Sequence, residues 1–383
     1  MSGPAPTPEE AAARADALRR ASAVLTIDLA AIVENWRTLS ALAAPAECAA
    51  VVKADAYGLG VERVAPALWR AGALTFFVAH LNEGTRLRAL LPDAVIYVLN
   101  GLMPGTAQAL AADRLRPVLG SVPEISDWSD FCRAEGKRHP AAIHVDTGME
   151  RLGLALEDAV RLSDNRRLLG FEPSLLMSHL ACADTPGHPL TGRQLKIFTD
   201  VARRFPGIKA SLANSAGTLC GRDFRFDLVR PGIFLYGGVA VSGVPPLKSV
   251  VRLDARVLQV RDVERGATVG YGAAERVKRR SRIATVALGY ADGLFRAAGS
   301  TDARKGAQAI VAGTRCPLVG RVSMDLATLD VTDLPAGAVE RGAMATFLGE
   351  GIGIDELAAK AGTIGYEVLT ALGARHLRRY LGE

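Results

Sequence analysis

The chain has 383 residues, of which 49% are apolar, and a formal net charge of +6. This length is too great for one ordinary domain, and the mild, dispersed positive charge argues against nucleic acid or a membrane surface as a partner. The five cysteines form no CxxC pair and no spacing typical of metal ligands. We therefore expect free thiols in a reducing compartment and a cytoplasmic protein.

The first twenty residues read "MSGPAPTPEEAAARADALRR" and lack the apolar core of a secretory signal. They predict a flexible tail over residues 1–21 that ends in a short helix. No run of eighteen apolar residues follows, so we expect no membrane span.

From residue 22 to residue 245, short apolar runs alternate with segments whose apolar residues recur at helical spacing. Eight such strand and helix units predict a (β/α)8 TIM-type barrel. A doubly wound open sheet is the alternative, but no GxGxxG follows the first strand. The eight strand candidates are "AAVVKA" at 49, "FFVAH" at 76, "VIYVLN" at 95, "RPVLG" at 116, "AAIHVD" at 141, "LLMSHL" at 175, "KASLANS" at 209 and "FDLVRPG" at 226.

The pattern changes at "GVAVSGVPPLKS", where glycine and proline mark a linker. Beyond it, apolar residues alternate with polar ones in "VRLDARVLQV", "RIATVAL", "AQAIVAG" and "ATLDVTDL". This period of two predicts antiparallel strands and a second, mostly β domain over residues 246–383.

Polar residues follow several of the predicted barrel strands, at the end where barrel enzymes place their active sites. Taken alone, each has an ordinary explanation: a solvated lysine, a packed histidine, or an Arg230 that pairs with Asp227. Their convergence on one barrel mouth favours a functional site. The residues are Lys53 and Tyr57 after the first strand, Arg151 after the fifth, His179 after the sixth, Asn214 and Ser215 after the seventh, and Arg230 and Gly232 after the eighth.

These residues suggest a site for a phosphate and an amine. Ser215, the Tyr57 hydroxyl and the backbone amides near Gly232 and Ile233 could hold a phosphate. A barrel lysine with a lowered pKa, such as Lys53, is a Schiff-base nucleophile. Together they predict pyridoxal 5'-phosphate as the cofactor.

The stretch "VVKADAYGLG" at residues 51–60 closely resembles the cofactor-lysine signature of alanine racemase. The resemblance continues in order through "HVDTGMERLG", "SHLACAD", "LANSAG", "LVRPGIFLYG", "VGYGAAE", "VALGYADG" and "GRVSMD". It implies a pyridoxal-phosphate-dependent racemase that interconverts L-alanine and D-alanine by a two-base mechanism and supplies D-alanine for peptidoglycan. It also implies a head-to-tail homodimer whose active sites are shared between subunits.

The resemblance further implies a role for each matching residue. Lys53 would hold the cofactor and act as one base, and Tyr271 would reach across from the partner subunit as the opposite base. Cations behind Tyr271, namely Arg230 and a protonated His179, would favour its phenolate. Arg151 would hold the cofactor's phenolic oxygen and approach the substrate carboxylate. The remaining roles are Met324 and Tyr290 for the substrate, Arg230 and His179 for the cofactor ring and its network, and Tyr57, Asn214, Ser215, Gly232, Ile233 and Tyr366 on the cofactor side.

Three rival interpretations differ in testable features. Amino-acid decarboxylases of the same barrel type would place an acidic residue, not an arginine such as Arg230, at the pyridine nitrogen. A non-catalytic pyridoxal-phosphate carrier would lack the second domain that holds Tyr271 and Met324. A racemase of broader specificity, acting on serine or other amino acids, stays open.

One position departs from the pattern of the family. Many relatives have a lysine seven residues before the motif arginine, and this lysine carries a carbamate that steers the arginine. Here His144 occupies that position, and imidazole is not expected to form a stable carbamate. We therefore expect no dependence on carbon dioxide. Arg151 would be oriented by a neutral His144, by a bound anion or by Asp146, unless His144 is simply packed in its strand.

Overall fold

The computed structural model describes residues 7–239, 241, 243–244 and 247–382. They divide into two compact units. The barrel unit consists of the described parts of Val33–Leu235 and Val239–Leu247. The β unit consists of the described parts of Met1–Ile32, Tyr236–Gly238 and Lys248–Glu383. The predicted boundary between residues 245 and 246 lies outside the described residues.

The described chain alternates strands and helices in its first half and is mostly β in its second. The strands are β1 (Ala23–Asp28), β2 (Glu47–Cys48), β3 (Ala50–Val51), β4 (Thr75–Val78), β5 (Val95–Val98), β6 (Arg116–Leu119), β7 (Pro140–His144), β8 (Glu172–Met177), β9 (Ala210–Ser211), β10 (Leu228–Val229), β11 (Val251–Val263), β12 (Thr268–Val269), β13 (Glu275–Arg276), β14 (Ser281–Val286), β15 (Gln308–Val311), β16 (Thr314–Pro317), β17 (Ala327–Asp330), β18 (Met344–Leu348) and β19 (Leu377–Leu381). The helices are α1 (Pro8–Arg20), α2 (Leu29–Ala43), α3 (Lys53–Gly58), α4 (Val61–Ala71), α5 (Leu81–Leu90), α6 (Ala107–Ala112), α7 (Val122–Glu135), α8 (Leu156–Asp164), α9 (Pro189–Arg204), α10 (Ile354–Ala361) and α11 (Gly365–Thr370).

The barrel unit is a closed ring of parallel strands. Strands β3 to β9 pair in sequence order, and β10 pairs in parallel with β2, which directly precedes β3. Backbone hydrogen bonds complete the ring: Ala49 N–H donates to Val229 O at 3.0 Å, and Arg230 N–H donates to Ala213 O at 2.9 Å. The predicted (β/α)8 barrel is confirmed, and the carboxyl ends of its strands all open on one mouth.

The apolar runs of the sequence explain this architecture. Phe76 and Phe77 are consecutive in β4 and both fully buried, so this strand is covered on its two faces. Parallel strands need such cover because helices pack outside them and side chains fill the ring inside. The helix α4 supplies one such apolar face, with Val64, Ala65 and Leu68 buried.

The β unit is built around one long strand. Its sheet has the strand order β16–β15–β18–β11–β1–β19, and β14 joins β11 and β17 along the far part of β11. Apart from the parallel β1–β19 pair, these pairings are antiparallel, as the alternating sequence pattern predicts. The predicted second domain, mostly β, is confirmed as a fold class.

The N-terminal segment lies in the β unit, which differs from the predicted domain limits of 1–21 and 22–245. Strand β1 pairs on one edge with β11, Leu25 opposite Leu253, and on the other with β19. Helix α1 precedes it, and the Arg256 guanidinium donates to the carbonyl groups of Leu18 and Ala21 at the helix end. Among the described residues, none of the helices combines the length and apolar character of a membrane span.

Candidate active site

The segment after β3 is one turn of left-handed helix. Residues Ala54 to Tyr57 all have φ between +53° and +56°. For a residue other than glycine this conformation costs about 1–2 kcal/mol. Hydrogen bonds within the segment offset part of that cost, since the Asp55 carboxylate accepts from Val61 N–H and the Asp55 carbonyl from Gly60 N–H, both at 2.9 Å. Strained backbone of this kind concentrates at functional sites.

Lys53 begins this turn, and its ammonium group is partly withdrawn from solvent. Burial lowers its pKa, the Arg151 guanidinium lowers it further, and the Glu83 carboxylate raises it. A larger share of neutral amine makes a lysine a better nucleophile and base. The structure therefore brings Lys53 and Arg151 into the same electrostatic environment, as the sequence predicts.

Two histidines lie in the same cationic surroundings and are held neutral. Burial, followed by Arg230, lowers the pKa of His179 to about 3. Burial, again followed by Arg230, lowers the pKa of His144 to about 4. The expectation of a protonated His179 is wrong at neutral pH, because a buried ring beside a guanidinium does not take up a proton.

Arg230 is fully buried, and its side chain donates to neutral oxygen atoms. One Nη donates to Ser178 O at 2.6 Å, and the other to the Ser211 hydroxyl. Burial lowers the pKa of Arg230 to about 9. The predicted alternative is a pair between Arg230 and Asp227. The Asp227 carboxylate instead accepts from Ala210 N–H at 2.7 Å. A buried guanidinium without a described carboxylate partner can donate to a neutral ring nitrogen.

A small polar cradle lies at the start of the turn after β10. The Ser215 hydroxyl accepts from Gly232 N–H at 2.8 Å, and both residues are buried. A Cβ atom at Gly232 would collide with the Tyr57 hydroxyl, so only glycine allows the close approach. The backbone then enters a short 3₁₀ turn at Ile233. The cradle combines hydroxyl and amide groups, which are the donors that bind phosphate in proteins.

Asn214 holds the neighbouring loop in shape. Its Oδ1 accepts from Gly217 N–H at 2.9 Å, and its Nδ2 donates to Leu180 O at 3.4 Å. It thereby joins the loop after β9 to the loop after β8, which carries His179. In the structure its role is to position these loops.

The loop that carries Arg151 is anchored by Asp146. The Asp146 carboxylate accepts from the backbone amides of Gly148, Met149 and Glu150 at 2.8–2.9 Å. Arg151 itself is exposed. Asp146 therefore positions the loop rather than the guanidinium directly.

Sequence reasoning missed a group of residues that tie the barrel loops together. Gln194 of α9 is fully buried, and its Nε2 donates to Thr147 Oγ1 at 3.2 Å and to His179 O at 2.9 Å. Thr147 in turn shares a hydrogen bond of 2.7 Å with the Ser178 hydroxyl. The signal available in the sequence was the polar Gln194 on the buried face of α9. Glu83 and Glu124, each in the first turn of a helix, were missed in the same way.

The β unit carries the other predicted residues on exposed loops. Tyr271 opens a short turn between Gly270 and Gly272, both at positive φ, and its side chain is 71% exposed. Met324 is 54% exposed. Backbone amides of Tyr290 and Ala291 donate to Ser323 O and Met324 O at 3.0 Å, so the structure brings Tyr290 and Met324 together.

Arg375 and Tyr366 are two further polar residues of the β unit. Arg375 joins the two loops, with Nε 3.1 Å from the Asp292 carboxylate and Nη1 2.7 Å from that of Asp325. Tyr366 lies on α11 and is partly exposed.

Comparison with known proteins identifies the family. A family model described as "Alanine racemase, N-terminal domain" matches residues 27–240, and one described as "Alanine racemase, C-terminal domain" matches residues 250–380. The chain is similar to an alanine racemase of Methylobacterium sp. (strain 4-46), with 57% identity over 93% of this chain and 97% of that protein. It is 49% identical to one of Rhizobium meliloti (strain 1021), over 94% of this chain and 97% of that protein.

A solved structure agrees. The crystal structure of alanine racemase from Bartonella henselae with covalently bound pyridoxal phosphate matches with a TM-score of 0.89 and 41% identity, over 94% of this chain and 100% of that chain. The resemblance seen in the sequence is confirmed, and the chain belongs to the alanine racemase family.

Proposed function

We propose that this protein is an alanine racemase that interconverts L-alanine and D-alanine with pyridoxal phosphate held at Lys53. The observation that carries the proposal is the barrel mouth. There a lysine with a lowered pKa lies near Arg151, His179 lies near both Arg151 and Arg230, and the same ring carries a cradle of hydroxyl and amide groups. As the family resemblance implies, its product D-alanine would be used to build peptidoglycan.

The residues present fit this cofactor. Ser215, Gly232 N–H and the Tyr57 hydroxyl offer donors for the phosphate, with Ile233 N–H beside them, while buried Arg230 offers N–H groups to a ring nitrogen. The comparison structure from Bartonella henselae holds pyridoxal phosphate covalently. Pyridoxal phosphate, when bound, withdraws electrons from the α-carbon of the amino acid and makes its proton removable.

The chain's own residues then move that proton. Racemisation needs a base on each face of the α-carbon, and we assign the Lys53 amine to one face and the Tyr271 oxygen to the other. An arginine at the ring nitrogen keeps that nitrogen unprotonated, since guanidinium does not readily release a proton. This limits delocalisation and favours rapid return of the proton to the α-carbon over transamination.

The substrate needs further partners. We assign Arg151 and the Met324 amide to the substrate carboxylate, and Tyr290 to the entrance of the site. We place neutral His179 behind Arg230 as a hydrogen-bonding group, and Tyr366 on the phosphate side. Exposure of Arg151 and Met324 supports roles that require contact with a diffusing ligand.

We further propose a homodimer in which the β unit of each subunit completes the partner's barrel site. Exposed apolar and aromatic side chains on the β unit support this, because such groups mark surfaces that become covered. They are Leu258, Tyr271, Tyr290, Met324, Leu326, Ile364, Tyr366 and Leu381. All five cysteines carry free thiols, which supports a reducing location such as the cytoplasm.

The activity is tested with the purified protein and a panel of L-amino acids. We expect racemisation of alanine well above that of serine and larger amino acids, and comparable rates on serine would favour the broader-specificity racemase. Borohydride should fix the cofactor covalently to Lys53, as located by peptide mass. Lys53→Ala should abolish both the adduct and activity, and an adduct on another lysine would contradict the assignment.

The shared site is tested by mixing inactive chains. A dimer of one Lys53→Ala chain and one Tyr271→Phe chain contains one site with both lesions and one site with neither. We expect activity to recover on mixing once subunit exchange is verified by mass. Continued inactivity after verified exchange would rule out sites shared between subunits.

A further inference from the structure

Glu83 connects two consecutive barrel loops with a single carboxylate. It lies in the first turn of α5, where its Oε2 accepts from Ala79 N–H at 2.8 Å and from His80 N–H at 3.0 Å. Its Oε1 accepts from Ala54 N–H at 2.5 Å. The first two amides belong to the loop after β4, and the third belongs to the loop after β3.

The bond to Ala54 reaches the backbone of Lys53 itself. The Ala54 N–H belongs to the peptide group whose carbonyl is that of Lys53, so Glu83 fixes the orientation of that peptide plane. Ala54 is also the first residue of the left-handed turn, at φ +53°. A charge-assisted bond at this point therefore holds the segment in a conformation that its sequence does not favour.

The same carboxylate acts on the Lys53 side chain by its charge. Burial and Arg151 lower the pKa of Lys53, and Glu83 opposes them. Among the other charged groups near the turn, Arg86 Nη2 lies 3.5 Å from the Asp55 carboxylate and also pairs with Glu62. Arg88 of α5 donates to backbone carbonyl groups such as Leu91 O. On the far side, His179 is neutral.

We propose that Glu83 is a positioning residue for Lys53, which holds the lysine's backbone through Ala54 and provides its negative counter-charge. This inference deepens the proposed function, because it rests on Lys53 being the reactive amine. Arg151 and Glu83 then act on Lys53 in opposite senses. Their opposed effects on the Lys53 pKa act on the amine that must take up and return a proton.

The chain contains a matched control for this device. Glu124 lies in the first turn of α7, five residues after the end of β6, just as Glu83 lies five residues after the end of β4. Its Oε2 accepts from Gly120 N–H at 3.0 Å and its Oε1 from Leu102 N–H at 2.9 Å, so it also joins its own loop to the preceding one. Lys53 has no contribution from Glu124 to its pKa shift.

The test compares Glu83→Gln with Glu124→Gln in the full chain. Each change replaces a carboxylate with a neutral carboxamide, whose NH2 group cannot accept a hydrogen bond from a backbone amide. The two variants therefore lose the same kind of loop contact. After hydroxylamine removes pyridoxal phosphate, and circular dichroism shows that both chains stay folded, the acylation of Lys53 by trace acetic anhydride is followed against pH by peptide mass. Because no cofactor is present, the result does not depend on whether the protein racemises alanine.

We expect the Lys53 acylation profile of Glu83→Gln to move to lower pH, with a several-fold higher rate at neutral pH. The profile of Glu124→Gln should match the unmodified chain. In the loaded enzyme, kcat should fall several-fold in Glu83→Gln with little change in KM for alanine.

An unchanged profile, a move to higher pH, or the same move in Glu124→Gln would overturn the proposal. If Glu83→Gln does not fold, Glu83→Asp keeps the charge but withdraws it by one methylene group. We then expect a smaller move in the same direction, and no move in Glu83→Asp would equally overturn the proposal.

Discussion

The barrel mouth and the loops of the β unit present their candidate residues in opposite ways. At the barrel mouth, Ser215 and Arg230 are buried and have defined hydrogen-bond partners. On the β unit, Tyr271 and Met324 are more than half exposed, and the Met324 carbonyl accepts from Ala291 N–H. The barrel residues are therefore held in place within one chain, whereas the exposed loop residues are the ones that the proposed dimer would cover.

Replacing Tyr271 by Phe tests the loop side most strongly. Removing one acid–base group should lower the racemisation rate by about 10²–10⁴-fold. If the two regions work on opposite faces of the α-carbon, the loss should be directional. Exchange of the α-proton with solvent should persist from D-alanine and fail from L-alanine, as measured by deuterium incorporation. Equal loss of exchange from both enantiomers would remove the assignment of Tyr271 to one face.

Replacing Gly232 by Ala tests the organisation of the barrel side. The added Cβ would collide with the Tyr57 hydroxyl and displace a member of the cradle. We expect the dissociation constant of pyridoxal phosphate to rise about tenfold, which corresponds to about 1.4 kcal/mol. Gly192→Ala is the control, because its Cβ in helix α9 would meet no atom within 4 Å. Equal affinities in the two variants would show that the cradle does not hold the phosphate.

Acid should destabilise the barrel side through its neutral histidines. Their pKa values of about 4 for His144 and about 3 for His179 lie below the usual 6.5, so the unfolded chain binds protons first as pH falls. The free energy of unfolding should be unaffected above pH 6.5 and should fall on the order of 3 kcal/mol by pH 4 for His144 alone. Urea titrations check this, and His144→Asn should show a shallower decline. An identical decline in that variant would show that His144 does not contribute.

Bicarbonate should have the smallest effect, namely none. The neutral, buried imidazole of His144 offers no amine for a carbamate. Activity of carefully degassed enzyme should not rise when bicarbonate is added. His144→Lys restores the lysine seen in many relatives and is the matched comparison, in which a bicarbonate response is allowed. Stimulation of the unmodified enzyme would mean that a carbamate forms elsewhere or that Arg151 is oriented by bicarbonate itself.

The barrel and the residues at its mouth could be predicted because both produce short, recognisable patterns in the sequence. Parallel strands covered on both faces appear as apolar runs, and the polar residues that follow them share one end of the ring. The left-handed turn after Lys53 left no such signal, since Ala54 and Ala56 are not residues that favour positive φ.

Long-range contacts explain the remaining differences. The neutrality of His179 depends on burial beside Arg230, which is brought near by folding and not by spacing. Strand β1 is separated by more than two hundred residues from its partner β11, so nothing near it in the sequence assigns it to the β unit. The individual catalytic roles stay predictions, because they depend on ligands and on the proposed second subunit.

The position of β1 has a consequence for protein synthesis. The barrel strands lie between residues 47 and 229, so the barrel can fold while the rest of the β unit is still being synthesised. Strand β1 is made before the barrel strands, yet one of its neighbours is β19 at residues 377–381, which is made after them. A stalled or truncated chain therefore exposes an apolar strand with an open edge, which is prone to aggregate. Until β19 has been made, that edge of β1 has no strand beside it.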